Sequence, residues 1–136
     1  MTKLGQRIAD EALALVGVPF RLQGRNACTG LDCIGLVALA LSRARGSGTI
    51  TTPRAYRLRN SDSMRWLKLH EEAGLSVVQP PLLPGDIVHT SPGPAQDHLL
   101  IVTGANTFVH AHAGLRQVVK TVGPLREPIL HQWRAG

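Results

Sequence analysis

Cys33 stands in the run Gly30-Leu31-Asp32-Cys33-Ile34-Gly35-Leu36-Val37, whose apolar continuation predicts a helix beginning at the cysteine. A thiol on the first turn faces the positive end of the helix dipole, which favours thiolate and can lower its pKa from about 8.5 toward about 7. That placement makes a nucleophile. Cysteine catalysis also needs a base to take the thiol proton and later protonate the leaving amine, and a third group to orient that base. His98, His110 and His112 are the candidates. They lie in two apolar runs separated by Gly104-Ala105-Asn106, which reads as a tight hairpin. A three-residue loop there puts His98 opposite His112 and His110 two positions along the same face. Same-face pairs on adjacent strands are about 5 to 8 Å apart between Cβ atoms, within imidazole reach. Cys33, His98 and His110 can therefore fill the three roles.

Each of these residues also has a plainer reading. A cysteine in an apolar helix packs as a small hydrophobe, His98 can sit hydrated at a strand edge, and His110 can be a core histidine bonded to a carbonyl. Cys28 is the bystander, since two cysteines five residues apart are too few for a disulfide framework. Cysteine with histidines also suits zinc. Two same-strand histidines would need a preformed opposite pair, so no metal and no cofactor is expected. Asp32 reads more simply as a helix cap than as a catalytic acid. His112 is expected to be the exposed neighbour of the pair, His70, His89 and His131 to lie at the surface, and Trp66 and Trp133 to serve packing.

The elements that must carry these residues divide the chain into a helical first half and a stranded second half. At 136 residues it is expected to form one domain, 1–136. Leu4, Ile8, Ala12, Leu13 and Val16 fall at helical spacing over Lys3 to Val16, and Gly17 with Pro19 stop that helix. After a loop from Phe20 to Leu31, Asp32 caps a second helix reaching Ala44, apolar all round and therefore buried. Arg45 to Asn60 reads as a long surface loop, whose Arg54, Arg57 and Arg59 could form a basic rim for carboxylate-rich peptides. A third helix is expected over Ser63 to Ala73, capped by Ser61 or Asp62 and stopped at Gly74. Period-two runs follow at Ile87 to Thr90, Leu99 to Thr103, Thr107 to Ala111, Gln117 to Val122 and Ile129 to Trp133. They predict an antiparallel sheet packed on the buried helix.

Fifteen Lys plus Arg against nine Asp plus Glu give a net charge of +6, which favours polyanions without choosing among them. Nucleic acid is not an expected partner, because aromatic stacking platforms and a recognition-helix signature are lacking. No run is long and apolar enough for a transmembrane span. Lys3, Arg7, Asp10 and Glu11 stand where a signal peptide would be apolar, so cytoplasmic synthesis without a signal peptide is the expectation.

Four blocks, in order, resemble one family: Gly17-Val18-Pro19-Phe20 before a glycine-containing loop and Asp32-Cys33-Ile34-Gly35-Leu36-Val37; Leu83-Pro84-Gly85-Asp86-Ile87-Val88; His98-Leu99-Leu100-Ile101-Val102; and Phe108-Val109-His110-Ala111. They are similar to the NlpC and p-sixty cysteine peptidases of bacterial cell walls. The resemblance implies an α+β, papain-like fold, with N-terminal helices packed on a five- to six-stranded antiparallel sheet. It makes Cys33 the nucleophile, His98 the base and His110 the orienting residue, with Asp32, Phe20 and Ile34 in the substrate or oxyanion region. It also implies hydrolysis of peptidoglycan stem peptides, often between D-glutamate and diaminopimelate, with no cofactor. The short form with Gly24 in Arg21-Leu22-Gln23-Gly24-Arg25 resembles peptidases of phage tails and gene transfer agents, which implies tail proteins as partners and delivery to the periplasmic wall in such a particle. Two positions depart from the pattern: Phe20 stands where many relatives have tyrosine, and Ile34 where serine is usual. The alternative expectation is a tail-tip or adaptor protein that binds wall without cutting it.

Overall fold

The computed structural model describes residues 2–46, 73–91 and 97–136. The third helix expected at Ser63 to Ala73, the body of the long loop with Arg54, Arg57 and Arg59, and Trp66 and His70 lie outside the described residues, apart from the flanking Arg45, Gly46 and Ala73.

Helix α1 spans Lys3–Ala14, two residues shorter than its apolar spacing predicts. Thr2 caps it, accepting a hydrogen bond from the Gly5 N–H at 2.9 Å. The early end has a local cause: Gly17 takes φ +95° and gives its N–H to Val118, so the chain turns toward the sheet before another helical turn can form. Arg25–Asn26 and Gly30–Leu31 form a small antiparallel ladder, β1 and β2, inside the stretch expected to be loop. Helix α2 then runs Cys33–Arg45, from Asp32 at its N-cap to a left-handed Gly46 at its C-cap. Ile34, Leu36, Val37, Ala40, Leu41 and Ala44 are all buried, as an apolar helix requires.

The sheet comprises β3 (Leu75–Val77), β4 (Ile87–Thr90), β5 (His98–Gly104), β6 (Thr107–His112), β7 (Gln117–Val122) and β8 (Ile129–Ala135), in the order β3-β8-β4-β5-β6-β7. Every pairing is antiparallel. Strand β3 is the one element of this sheet that the period-two pattern does not foresee. The β5–β6 hairpin has Ile101 opposite Val109 and Val102 opposite Phe108, the register expected from the sequence. Its loop is shorter than expected, because a shift pairs Gly104 with Thr107 and leaves Ala105 and a positive-φ Asn106 to turn the chain.

Alternation along the strands gives the sheet two apolar faces. Ile87, Leu99, Ile101, Val109, Ala111 and Trp133 join both helices in the main core. Val88, Leu100, Val102 and Phe108 form a second cluster, with Leu82 and Leu125 packed on it. Helix α2 thus lies on β5 and β6, the strands that carry His98 and His110.

Candidate active site

Asp32 sets the start of α2. Its carboxylate accepts from the Gly35 N–H at 2.8 Å, the Gln23 N–H at 2.7 Å and the Arg25 guanidinium at 2.9 Å. It is 1 % exposed, and burial pushes its pKa up against those three stabilising partners. Asp32 is therefore a cap that also ties the preceding loop to the helix. Close approach is built into the backbone too. A Cβ on Gly35 would meet the Gly24 carbonyl oxygen, so loop and helix touch main chain to main chain.

Cys33 follows as the first residue of α2 and is half-buried. Its sulfur is met by the backbone N–H groups of Leu99 and Ile34. The expected thiolate does not form in this resting state. Burial of the sulfur pushes the thiol up to about 12, and the Asp32 carboxylate adds to the rise. The two N–H groups and Arg25 oppose it without winning. Desolvation, absent from any reasoning about one helix alone, outweighs the dipole here.

His98 opens β5 and His110 lies within β6. Their rings meet edge to face, with centroids 4.8 Å apart, and His98 Nε2 lies 2.9 Å from His110 Nδ1. Burial, aided by the neighbouring His110, His112 and His89, lowers His98 to about 4. His110 is lowered to about 4 by burial and by His112, against a raising effect of Glu127. Both imidazoles are therefore neutral at neutral pH. Among the described residues no hydrogen bond joins Cys33 to His98. The link between them is Leu99, the neighbour of His98, whose N–H faces the sulfur.

The other expected site residues take secondary places. Phe20 is half-buried against the core, bridged to Leu31, with its N–H given to Arg116 at 2.9 Å. Ile34 puts its side chain in the core, so only its backbone reaches the sulfur. His112 is half-buried rather than exposed, because its Nδ1 accepts from the Leu115 N–H at 3.0 Å and closes the turn into β7. Cys28 is exposed, away from these groups.

His89 and His131 depart from the surface expected for them. His89 is fully buried and His131 half-buried, stacked with Trp133. The missed signal is period two: His89 lies two residues past Ile87 and so shares its core-facing side.

A half-buried thiol starts a helix that packs on the two strands carrying a hydrogen-bonded imidazole pair, within an α+β domain whose sheet is antiparallel. The chain belongs to the NlpC/P60 family, whose model matches residues 17–134. Members of that family are generally cysteine peptidases or amidases acting on peptidoglycan. Among solved structures, NlpC2 from Trichomonas vaginalis is similar at 19 % identity and a TM-score of 0.71, over 99 % of this chain and 47 % of that one. The NlpC/p60 domain of the peptidoglycan hydrolase SagA is similar at 21 % identity and 0.60, over 87 % and 88 % of the two chains. An NLP/P60 protein similar to lipoproteins, from Staphylococcus aureus, gives 20 % identity and 0.66, over 99 % and 42 %. The chain thus spans less than half the length of two of these relatives. No curated protein matches it in sequence.

Proposed function

We propose that this domain is a cysteine peptidase of peptidoglycan stem peptides, cutting between D-glutamate and diaminopimelate with Cys33, His98 and His110. The observation that carries this reading is the 2.9 Å contact between His98 Nε2 and His110 Nδ1. If His98 donates through Nε2, its Nδ1 is left as the basic nitrogen, and His110 must hold its own proton on Nε2. The opposite arrangement, with His110 donating through Nδ1, would leave the His98 proton on Nδ1, so the mechanism requires the first.

Because the thiol lies high and the imidazole low, the reaction starts from a neutral pair. His98 Nδ1 takes the Cys33 proton as the sulfur attacks the amide carbonyl, and N–H groups at the start of α2 receive the developing oxyanion. His98 then hands the proton to the leaving amine, giving an acyl-enzyme. Water activated by the same nitrogen releases the acyl group. Phe20 offers no hydroxyl to the oxyanion, so the backbone carries that task. Delivery by a phage-tail or gene-transfer-agent particle, with tail proteins as partners, belongs to the same proposal.

The test is mass spectrometry of purified sacculi treated with the protein. Fragments with a newly freed diaminopimelate amine are expected, and treated sacculi identical to untreated ones would leave the domain a non-catalytic wall-binding or adaptor module.

The pH profile gives a second check. His98 must be neutral to act as a base, and its lowered pKa of about 4 keeps it so well into the acid range. The acid limb of kcat/KM is therefore expected below pH 5. A midpoint near about 6.5, the ordinary histidine value, would show that His98 is solvated or charge-paired in the working enzyme.

A further inference from the structure

His89 is a fully buried histidine that the chemistry above does not use. Its Nε2 lies 2.7 Å from Asp97 Oδ1, and the Asp97 side chain is only 9 % exposed. On its other side, His89 Nδ1 lies 3.0 Å from His131 Nδ1, and the His89, His131 and Trp133 rings stack within 10° of parallel. Both nitrogens of the His89 ring have partners, and the neighbouring rings restrict its orientation further.

Asp97 is the residue immediately before His98. The start of β5 is a weakly held place, because the β5–β6 ladder runs from Gly104 only as far back as Ile101. Among the described residues, 98–100 are paired on the β4 edge alone, through Thr90, His89 and Val88. That one-sided pairing leaves the backbone of His98 without a second strand to fix it. The Leu99 N–H, one residue along, faces the Cys33 sulfur.

We propose that the His89–Asp97 pair is a positioning device that anchors the start of β5 and so aims His98 at His110 and Cys33. Asp97 is joined to His98 by one peptide bond, so holding its side chain against His89 restricts the backbone from which the His98 ring projects. The anchor is backed by β8 through His131 and Trp133, and the hydrogen-bonded row His131, His89 and Asp97 ends one peptide bond from His98. A shift of about 1 Å at a reacting group can cost about a hundredfold in rate, so such an anchor matters to turnover. The proposal rests on the reading of His98 as the base.

Replacing His89 alone would strand a buried carboxylate and lose stability for reasons unrelated to aim. The informative variant is the double change His89→Phe with Asp97→Ala, which keeps a stacked ring and removes both polar partners; Asp97→Asn is the milder second variant. Two quantities are measured on each: the ring 15N shifts of His98 and the turnover of soluble muropeptides. The double variant is expected to lose the single-tautomer signature of His98, and kcat to fall about tenfold with KM within about twofold. Asp97→Asn should show a smaller change in the same direction. Retention of the wild-type ring signature in both variants would overturn the anchor, whatever the turnover. Loss of the signature with undiminished turnover would instead show that His98 is not the base, and would sink the peptidase mechanism while leaving the anchor in place.

Discussion

Replacing Cys33 by alanine is expected to lower muropeptide release by about 10⁴-fold or more, because removing a nucleophile removes the covalent route altogether. The remaining thiol cannot take over. Cys28 is exposed, and its backbone N–H is held by the Asn26 side chain in the turn between β1 and β2. The fold should tolerate the change. Alanine is a good helix former, Asp32 still caps Gly35, and Cys33 packs at the edge of the core rather than inside it. Thermal unfolding within a few degrees of wild type would show that the loss is chemical. His110→Ala should cost less than Cys33→Ala, since a base that has lost its orienting partner can still find its productive tautomer part of the time. Retention of more than a tenth of wild-type turnover by Cys33→Ala would mean that the chemistry runs elsewhere.

Much of this site is legible in the amino-acid order because its determinants are local. Asp32 before an apolar run marks a helix start, and alternation from Leu99 to Ala111 sets the hairpin register that brings His98 and His110 together. What fails to show is what depends on distant packing. The protonation of Cys33 is misjudged from its own helix because the burial that raises its pKa comes from packing, which the helix sequence alone does not show. His89 is misassigned to the surface because its polarity outweighs its position, and its partners are Asp97, just before β5, and His131 on β8. Strand β3 has three residues, paired with β8, too short a run for period two to register. The small β1–β2 ladder is held by Asp32 bonds to Gln23 and Arg25, which no propensity encodes.

Arg134→Met is expected to destabilise the fold by about 3–5 kcal/mol, measured by urea unfolding, because it leaves a buried carboxylate without its countercharge. Asp86 is fully buried at the entry to β4. Arg134 grips it with two donors, Nε to Oδ1 at 2.7 Å and NH2 to Oδ2 at 2.8 Å. The Gln132 amide and the Leu83 N–H complete the shell at 3.0 and 2.9 Å. This cluster joins the turn before β4 to β8, two strands over from the one that carries His98. The two ends of the ion pair are unequal. Arg134 keeps 27 % of its side chain exposed and can turn to water if Asp86 is neutralised, whereas the carboxylate has no route to solvent. Asp86→Asn, which keeps the shape and several of the hydrogen bonds, should therefore cost less than Arg134→Met. The reverse order would mean that the carboxylate's backbone and amide donors, rather than the guanidinium, compensate its burial. Since β4 is paired with residues 98–100, loosening this cluster should reach His98 through the sheet. Partial unfolding of Arg134→Met is thus expected to remove turnover before it removes the helices.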